Sequence, residues 1–573
     1  MAAPTASEPR AAAGDDRLSE LVADDSRLAI GLHYASLGVT FVVVAVLCRK
    51  YWYFNDDFLV QSLIRDRGVR GVFEPYAEHW MSVPKLLAHL NYALVGFKTY
   101  WPTTLLVLAT NTVVGHLLWR VMRQAGLSAW IATGLVAVYL VTPGDATRDI
   151  MQVGWFAAVA LGLAAILCLN SSETGRRPVL AAAAIMLVAI VCHSGVAIGM
   201  VIAVALVALL RRGWRAALTV AVPPVALYLV WLAVIGRDRV QQQLPEGVPL
   251  GEVPRFVVTE LPGTVASPIR LATAVGVVVL LAVAAWLVVR WRDAVTERAP
   301  AFAMGIVVVL LFFAVARSRT DVAYRYAYLA WLLFLPALGL ALHDLGRRPV
   351  RRCVLAIAVS VVLGLLGLAR LVDVVHGQNE QRGFLKRELT EMARRTRTDG
   401  FVPEVIVENE RAPLLRAKQV AEWARAGKFP APSRAPSPGE LRTITARLQA
   451  RYVPKPPASY DAGNRPTIVA VTGTEATPAG DGCVRLEDGD DGPRTVQLDV
   501  TRRAAIRVEG VHEVVVSLPS LGDDGTDATY TQPVIHHDTE YVEFAAGTQP
   551  SVQVGPRGRV TVCGVEVPPD LSP

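Results

Sequence analysis

Charged side chains are scarce in this 573-residue chain: they make up 19% of it, whereas hydrophobic residues make up 53%. Much of the sequence consists of apolar runs close to the length that crosses a bilayer. The composition therefore predicts a polytopic membrane protein.

Several common motifs are absent as well. The sequence has no phosphate-binding glycine loop, no Ser-His-Asp motif and no zinc signature, so nothing in it points to the chemistries that use them.

Acidic residues are fewer than basic ones, and the formal charge of +7 with a pI near 9.1 raises the question of a polyanionic partner. The arginines, however, fall in short loops between apolar runs, which is typical of cytoplasmic loops in membrane proteins. These arginines are Arg176, Arg177, Arg211, Arg212, Arg290, Arg292, Arg347, Arg348, Arg351 and Arg352. Membrane topology therefore explains the basic charge, and we expect no nucleic-acid partner.

The polar tail at 1–28 lacks the features of a cleaved secretory signal, so we expect the first apolar run to be retained. About eleven transmembrane helices are predicted. The runs are 29–48, 102–121, 128–142, 152–169, 178–192, 195–210, 216–235, 269–290, 301–316, 326–343 and 353–375. An odd number places the termini on opposite sides, and every arginine-rich loop lies inside if the N-terminus is cytoplasmic. We expect a multi-pass plasma-membrane protein with an external C-terminus.

This topology divides the chain into four parts. A cytoplasmic tail at 1–28 precedes a transmembrane module at 29–375, whose first external loop is 49–101. An external helical segment at 376–457 and an external β-sandwich-like domain at 458–573 follow. The predicted fold class is a polytopic α-helical membrane protein with a C-terminal extracytoplasmic α+β domain.

The external tail changes its pattern near residue 457. Before that point helical patterns dominate, and a helix start is predicted at Ser437, a capping serine followed three residues later by Glu440. After it, short β-branched runs alternate with Gly/Asp turns, which predicts an antiparallel sandwich. The sequence His536-His537-Asp538 is interpreted as a solvated turn, since no second ligand cluster has metal spacing.

Cysteine is rare, with six residues in the chain. Those in or beside apolar runs are interpreted as small buried hydrophobic residues; they are Cys48, Cys168, Cys192 and Cys353. Cys483 and Cys563 lie in the external tail, where oxidising conditions permit a disulfide. A bond between them is a hypothesis that the sequence leaves open.

The first external loop is amphipathic rather than uniformly polar. Helical spacing places five apolar residues on one face, namely Val83, Leu86, Leu87, Leu90 and Leu94. Lys85 and His89 share another face. Such a helix lies in the membrane interface. The loop is therefore predicted to form a platform, with Asp56 and Asp57 at its inner edge and Glu78 and His79 in its middle.

Three stretches give the chain a family resemblance: YFNDDF at 53–58, FEPYAEHWMSVP at 73–84 and SRTDVAYRYAYLAW at 318–331. Together with the topology, they resemble the GT-C superfamily of integral-membrane glycosyltransferases, which includes protein mannosyltransferases and the arabinosyl- and mannosyltransferases of actinobacterial cell envelopes. The topology match covers 29–375. The resemblance implies transfer of a sugar from a polyprenyl-phosphate donor to a hydroxyl of a glycan or protein acceptor, on the outer face of the membrane.

The resemblance gives Asp56 the position of the catalytic base. Asp57 would then orient the base, hold the acceptor or help to bind a divalent metal, which the sequence does not decide. A cation is expected to stabilise the departing phosphate, and Arg319 and Arg325 are the first candidates. The alternatives are His79, Lys85, Arg148, Arg237 and Arg239, and Glu78 is a further candidate for substrate contact.

Each assignment has a simpler alternative. Asp56 and Asp57 are also explained as solvated acids at a membrane edge. His79 with the following tryptophan is typical of an interfacial anchor. Arg319 and Arg325 are also explained as flanking charges, and His193 as a loop residue between two apolar runs.

Two other functions stay open at this point. About eleven helices also suit a transporter or lipid flippase, which would carry charges deep within the spans. A non-catalytic relative that binds glycan or a partner through the tail is the other alternative.

Overall fold

The computed structural model describes residues 21–566 with gaps, and 567–573 are not described. The gaps are 77, 143–148, 174, 238–247, 267–272, 319–323, 347, 398–400, 404–405, 409–411, 432–443, 445–447, 449, 454–456, 462–463, 481, 488–493, 510–513, 519–527, 533–538, 547 and 555–558. The helix start predicted at Ser437 and the turn predicted at His536-His537-Asp538 lie outside the described residues.

Helices occupy most of the chain up to residue 395. In chain order they are α1 Arg27–Leu47, α2 Asp56–Arg67, α3 Val69–Phe73, α4 Ser82–Val95, α5 Trp101–Gln124, α6 Ala129–Val141, α7 Met151–Leu169, α8 Arg177–Cys192, α9 Ser194–Arg212, α10 Trp214–Trp231, α11 Val253–Ala266, α12 Thr273–Val289, α13 Ala299–Ser318, α14 Tyr324–Leu345 and α15 Pro349–Arg395. The tail adds α16 Ala417–Arg425 and α17 Ala458–Asp461.

Each of the eleven predicted apolar runs forms a helix. Among the described residues, eight helices are long and apolar enough to cross a membrane; they are Arg27–Lys50, Trp101–Gln124, Met151–Leu169, Ser194–Arg212, Trp214–Gly236, Ala299–Arg317, Tyr326–Leu345 and Pro349–Arg395. The other three runs form the shorter apolar helices α6, α8 and α12. The structure is thus that of a helical membrane protein with eight candidate spans among the described residues, and the predicted number of about eleven stays a prediction.

Local sequence explains where several helices begin and end. Proline lies in the first turn of α5 and of α8, where its missing N–H group costs nothing. The Ser128 hydroxyl accepts a hydrogen bond from the Trp130 N–H at 3.2 Å and caps α6. Gly213, with φ of 89°, ends α9 and lets α10 begin at the next residue.

The chain divides into two compact units. The helical unit contains Met1–Tyr51, Leu63–Ala93 and Tyr100–Glu380, and the second unit contains Trp52–Ser62, Leu94–Thr99 and Gln381–Pro573. Two short pieces of the predicted first external loop therefore belong to the same unit as the C-terminal tail. The acidic pair Asp56–Asp57 lies in one of them.

Within the helical unit, several of the arginine-rich helix ends contact each other. The Ser128 N–H donates to Nδ1 of His343 at 3.1 Å, and Nε of Arg352 donates to the His343 carbonyl at 3.2 Å. Similarly, Nε of Arg212 donates to the Leu169 carbonyl at 2.8 Å. These ends were predicted to share one side of the membrane, and contact between them is consistent with that grouping.

The tail is built mainly of strands. They are β1 Ile406–Glu408, β2 Ala412–Arg416, β3 Ala450–Val453, β4 Thr467–Thr472, β5 Ala476–Pro478, β6 Cys483–Leu486, β7 Arg494–Asp499, β8 Ala504–Glu509, β9 Val514–Leu518, β10 Ala528–Gln532, β11 Thr539–Phe544, β12 Ser551–Val554 and β13 Val560–Cys563. A five-stranded sheet has the order β10-β9-β12-β7-β4, and a six-stranded sheet has the order β3-β11-β8-β13-β6-β5.

The two larger sheets share one core, so the predicted sandwich is confirmed. Val496 and Val552 of one sheet and Ile506 and Val562 of the other belong to a single cluster of fully buried side chains. Among the described residues, the strands of these two sheets pair antiparallel. The boundary needs a correction, because β3 at 450–453 lies in the segment predicted as helical yet pairs with β11. The β1–β2 hairpin in that segment was not predicted either.

The disulfide hypothesis is also confirmed. Cys483 and Cys563 are bonded and lie opposite each other in the β6–β13 pair, 80 residues apart in sequence. Of the four cysteines in or beside apolar runs, Cys48, Cys192 and Cys353 are buried and Cys168 is half-buried, as the interpretation of small buried residues expects.

Candidate functional site

The acidic pair begins α2, immediately after a tight turn. Asn55 adopts a positive φ of 46° at the point where the preceding non-helical segment turns into the helix. Asp56 and Asp57 occupy the first helical turn, where the helix dipole favours negative charge. The two carboxylates therefore lie at the N-terminus of α2.

The two aspartates have different environments. Asp57 is buried, with 2% of its surface exposed, and its Oδ2 accepts a hydrogen bond from the Phe54 N–H at 2.9 Å. The Asp57 N–H donates in return to the Phe54 carbonyl at 3.1 Å. Asp56 is only half-buried. Asp57 therefore holds the turn closed, while Asp56 is the more accessible carboxylate.

Aromatic residues fix the segment that leads to the pair. Nε1 of Trp52 donates to the Phe97 carbonyl at 2.7 Å, and the Tyr53 hydroxyl donates to the Gly96 carbonyl at 2.7 Å. The loop at 94–99 is itself fixed to the tail, because the Phe97 N–H donates to the Lys428 carbonyl at 2.8 Å. Gly96 is required there: a Cβ atom would lie 2.7 Å from the Lys428 carbonyl oxygen.

A buried arginine completes this turn, and sequence reasoning missed it. Arg382 of α15 is 2% exposed, and its Nη1 donates to the Trp52 carbonyl. Its guanidinium carbon lies 5.3 Å from the centre of the Phe54 ring, a cation–π geometry. Arg382 thus fixes the two residues on either side of Tyr53, directly before the acidic pair. The sequence gives no local signal for this contact, since 330 positions separate Arg382 from Trp52.

A second polar group, in the helical unit, contains two of the predicted site residues. Tyr76 and His79 exchange backbone hydrogen bonds of 2.8 and 3.0 Å, which form a narrow turn that carries Glu78 and His79. Oε1 of Glu78 lies 3.5 Å from Nε2 of His79. The His79 ring centre lies 4.6 Å from that of His193. Glu78, His79 and His193 are called the histidine cluster below.

The surroundings of the histidine cluster are aromatic. Trp155 contacts His193 edge to face at 4.9 Å and Tyr326 at 5.7 Å between ring centres. The Val196 N–H donates to Nδ1 of His193 at 3.3 Å, so in the neutral ring the proton is assigned to Nε2. His193 does lie between two helices, as predicted, but it also caps α9 and is fully buried. Its contact with His79 was not predicted.

Trp80, directly after this turn, makes contacts with α9 and α10 of the same unit. The Ser194 N–H donates to the Trp80 carbonyl at 3.0 Å, and the Trp80 N–H donates to the Ser194 hydroxyl at 2.9 Å. The Trp80 ring stacks on Trp231, with 5.2 Å between centres and 2° between planes. Trp80 is 6% exposed, so in this structure it packs within the protein rather than extending outward as an interfacial anchor.

Lys85 supports the backbone of α3. Its side chain is fully buried, and its Nζ donates to the carbonyls of Gly71, at 2.9 Å, and Glu74. Burial lowers the pKa of Lys85 from 10.5 to about 8, although the nearby Glu74 carboxylate raises it. Lys85 and His89 were predicted to share a face of α4, but they differ in environment: His89 is exposed and Lys85 is buried.

The structure describes few contacts of the other arginines that were predicted to bind the phosphate. Arg237 is exposed at the end of the helical segment that continues α10. Arg325 lies in the first turn of α14, but its side chain is outside the described part of the structure. Arg148, Arg239 and Arg319 lie outside the described residues altogether. Within the described ranges, no three His, Cys, Asp or Glu side chains are grouped so as to hold a metal ion.

The fold is that of a helical membrane protein with a C-terminal β-sandwich unit, and the two polar groups described above are its candidate sites. Comparison with known proteins adds no relative: no family model, no curated protein and no solved structure matches the chain.

Proposed function

We propose that this protein is a membrane glycosyltransferase that moves a sugar from a polyprenyl-phosphate donor to an acceptor hydroxyl. The observation that carries the proposal is the unequal acidic pair. Asp57 is buried and bonded to the Phe54 N–H, whereas Asp56 is half-buried in the same turn. A carboxylate fixed to the backbone supports the turn, and its accessible neighbour is suited to take a proton from a hydroxyl.

In the proposed reaction, the acceptor oxygen attacks C1 of the sugar and its proton passes to Asp56. The bond between C1 and the phosphate oxygen breaks, and the electron pair leaves with the polyprenyl phosphate. A single displacement of this kind inverts the configuration at C1. We further propose that the reaction takes place on the outer face of the plasma membrane, in the assembly of a cell-envelope glycan or glycoconjugate.

Arg382 is proposed as a positioning residue for this chemistry. Its Nη1 donates to the Trp52 carbonyl and its guanidinium lies over Phe54, so it fixes the turn that sets the direction of Asp56. Lysine would retain the charge but would lose the planar, multiple-donor geometry. Arg237, Arg239, Arg319 and Arg325 stay candidates for contact with the leaving phosphate, and Glu78 and His79 stay candidates for substrate contact.

The test uses the purified full chain in detergent with a panel of polyprenyl-phosphate sugars and a saccharide acceptor. Asp56→Asn is expected to abolish transfer while donor binding persists, because the amide keeps the shape of the side chain but accepts no proton. Asp66→Asn is the matched control, since Asp66 is an exposed acid of the same helix. No transfer from any donor by the unmodified protein would reject the proposal.

One observation favours transport as a second candidate function. Nε2 of His33 in α1 lies 3.1 Å from Nδ1 of His116 in α5, and His33 is fully buried. Ionisable residues inside apolar helices often mark a transport pathway. The test is translocation of a fluorescent polyprenyl phosphate across proteoliposomes. Translocation without sugar transfer, lost in His116→Phe, would favour this second function.

A further inference from the structure

The disulfide between Cys483 and Cys563 has two unequal ends. Cys563 is buried, with 2% of its surface exposed, whereas Cys483 is half-buried. Each cysteine is followed or preceded by a glycine in the left-handed region, Gly482 with φ of 71° and Gly564 with φ of 83°. A reagent that approaches this end of the sandwich therefore reaches the sulfur of Cys483 more readily than that of Cys563.

An arginine contacts the buried end. Nη2 of Arg507 lies 3.5 Å from Sγ of Cys563, and Nε of the same guanidinium lies 3.1 Å from Oε1 of Glu509. Arg507 lies on β8, which pairs with β13 so that Arg507 is opposite Cys563. The cross-strand register and the Glu509 carboxylate together keep the guanidinium against the sulfur.

A guanidinium beside a sulfur atom has a chemical consequence. Positive charge stabilises a thiolate relative to a thiol, and a disulfide breaks faster when the sulfur that leaves is the more stable thiolate. The accessible sulfur is then the point of attack, and the sulfur beside Arg507 is the leaving group. Both requirements for directional thiol exchange are met within β6, β8 and β13.

We propose that the Cys483–Cys563 bond is a thiol–disulfide exchange site whose reaction partner is a thiol or dithiol reductant. The incoming thiolate attacks Sγ of Cys483 and forms a mixed disulfide. The bond between the two cysteine sulfurs breaks, and its electron pair goes to Sγ of Cys563, next to Arg507. A second thiolate attacks the reductant sulfur of the mixed disulfide, which forms the reductant's own disulfide and breaks the bond to Sγ of Cys483, so that Cys483 leaves as a thiolate. In total, two electrons pass from the two reductant thiols to the cysteine pair. The two reductant thiols lose two protons, and the two cysteine thiolates that form can take up the same number.

Reduced glutathione is the probe for the direction of attack. The purified full chain is mixed with glutathione, quenched with N-ethylmaleimide after partial reaction, digested and analysed by mass spectrometry. Glutathione is expected on Cys483 and the alkyl group on Cys563. The opposite distribution, or an equal one, would overturn the proposal. This measurement needs no variant, so it does not depend on a substituted protein that folds.

Substitution of Arg507 tests the leaving-group argument. Arg507→Gln is expected to slow the first step by about 3- to 10-fold, because Cys563 would leave as a less stable thiolate. Arg507→Lys, which keeps the charge, is expected to react at a rate closer to that of the unmodified protein. Arg502→Gln is the matched control for loss of one charge, since Arg502 is exposed in the same domain. Equal rates for Arg507→Gln and Arg502→Gln would contradict a role for Arg507.

Discussion

His79 lies directly against Gly195: a Cβ atom on Gly195 would be 2.6 Å from Cε1 of the His79 ring. Gly195 is in the first turn of α9, two residues after His193, which caps this helix. The absence of a side chain at Gly195 therefore allows the turn at 76–79 to pack against the start of α9. The contact connects the predicted first external loop with the junction of two apolar helices.

Gly195→Ala should displace the His79 ring and destabilise the protein. Added volume in a packed contact typically costs about 1–3 kcal/mol, and we expect a lower unfolding temperature in detergent. Gly199→Ala is the matched control, one turn further along α9, where the nearest atom to the new methyl group is Val307 Cγ1 at 3.9 Å. If the two variants unfold at the same temperature, the close contact with His79 does not exist in the native protein.

The buried ammonium of Lys85 predicts a pH dependence of stability. Its folded-state pKa of about 8 is below the ordinary value of 10.5. The unfolded chain therefore binds more protons between these two values, and a rise in pH across this window stabilises the fold. We expect the unmodified protein to gain stability from pH 8 to 10 relative to Lys85→Met. Lys98→Met, which removes an exposed lysine, should follow the unmodified protein, and a gain that persists in Lys85→Met would refute this assignment.

The apolar stripe of α4 gives a prediction for labelling in intact membranes. Leu86, Leu90 and Leu94 are exposed on the protein surface, and so is His89. If the stripe contacts lipid, cysteines at Leu86 and Leu90 should react slowly with an impermeant maleimide, and a cysteine at His89 should react quickly. In the chain unfolded by denaturant, the cysteines at positions 86, 89 and 90 should react at equal rates. This control shows that the difference in membranes does not come from the intrinsic reactivity of the three thiols. Fast labelling at all three sites in membranes would argue against an interfacial helix.

An external C-terminus is the prediction that fixes the orientation of the chain. The arginine-rich loops fall on one side of the predicted topology, and positive charge marks the cytoplasmic side. Alkaline phosphatase fused after residue 573 should therefore be active, and a cytoplasm-active reporter inserted near residue 348 should be active as well. A well-expressed but inactive phosphatase fusion would reverse the orientation.

Local periodicity was enough to predict much of the fold. Apolar runs such as 152–169 became helices because a chain in lipid must pair its own backbone groups. Runs such as TVQLDV became strands because alternate residues face the sandwich core, as Val496 and Leu498 do. The β3 strand was missed because it is four residues long and pairs with β11, about ninety positions later, so its pattern alone did not separate it from a helix.

The sites were less predictable, since their contacts join distant parts of the chain. Asp56, Asp57, Glu78 and His79 attract attention by residue type, yet nothing local indicates that His193 would contact His79 or that Arg382 would contact Trp52. The burial of Lys85 is a similar case. Its partners are the backbone carbonyls of Gly71 and Glu74, and because every residue has a backbone carbonyl, the residue types at these positions give no signal. Helical spacing assigned Lys85 to a face of α4 but did not show what packs against that face.

Arg382 offers a test of geometry against charge. Arg382→Lys should lower sugar transfer and leave donor binding intact, because the turn at Trp52–Phe54 would lose its planar donor while the charge is kept. Arg387→Lys, on the same helix, is the matched control. Normal transfer by Arg382→Lys would show that the guanidinium geometry does not direct Asp56.

The central claim is that Asp56 takes the proton of the acceptor, and the rate of sugar transfer by Asp56→Asn tests it most directly. Loss of a general base typically costs about 10²–10⁴-fold in rate, and we expect a loss in this range with donor binding unchanged. Asp57→Asn should instead lower the unfolding temperature, since the Phe54 N–H would lose its carboxylate partner. Transfer by Asp56→Asn at the rate of the unmodified protein would contradict the account and would leave the pair with a structural role only, in which Asp57 fixes the turn before α2.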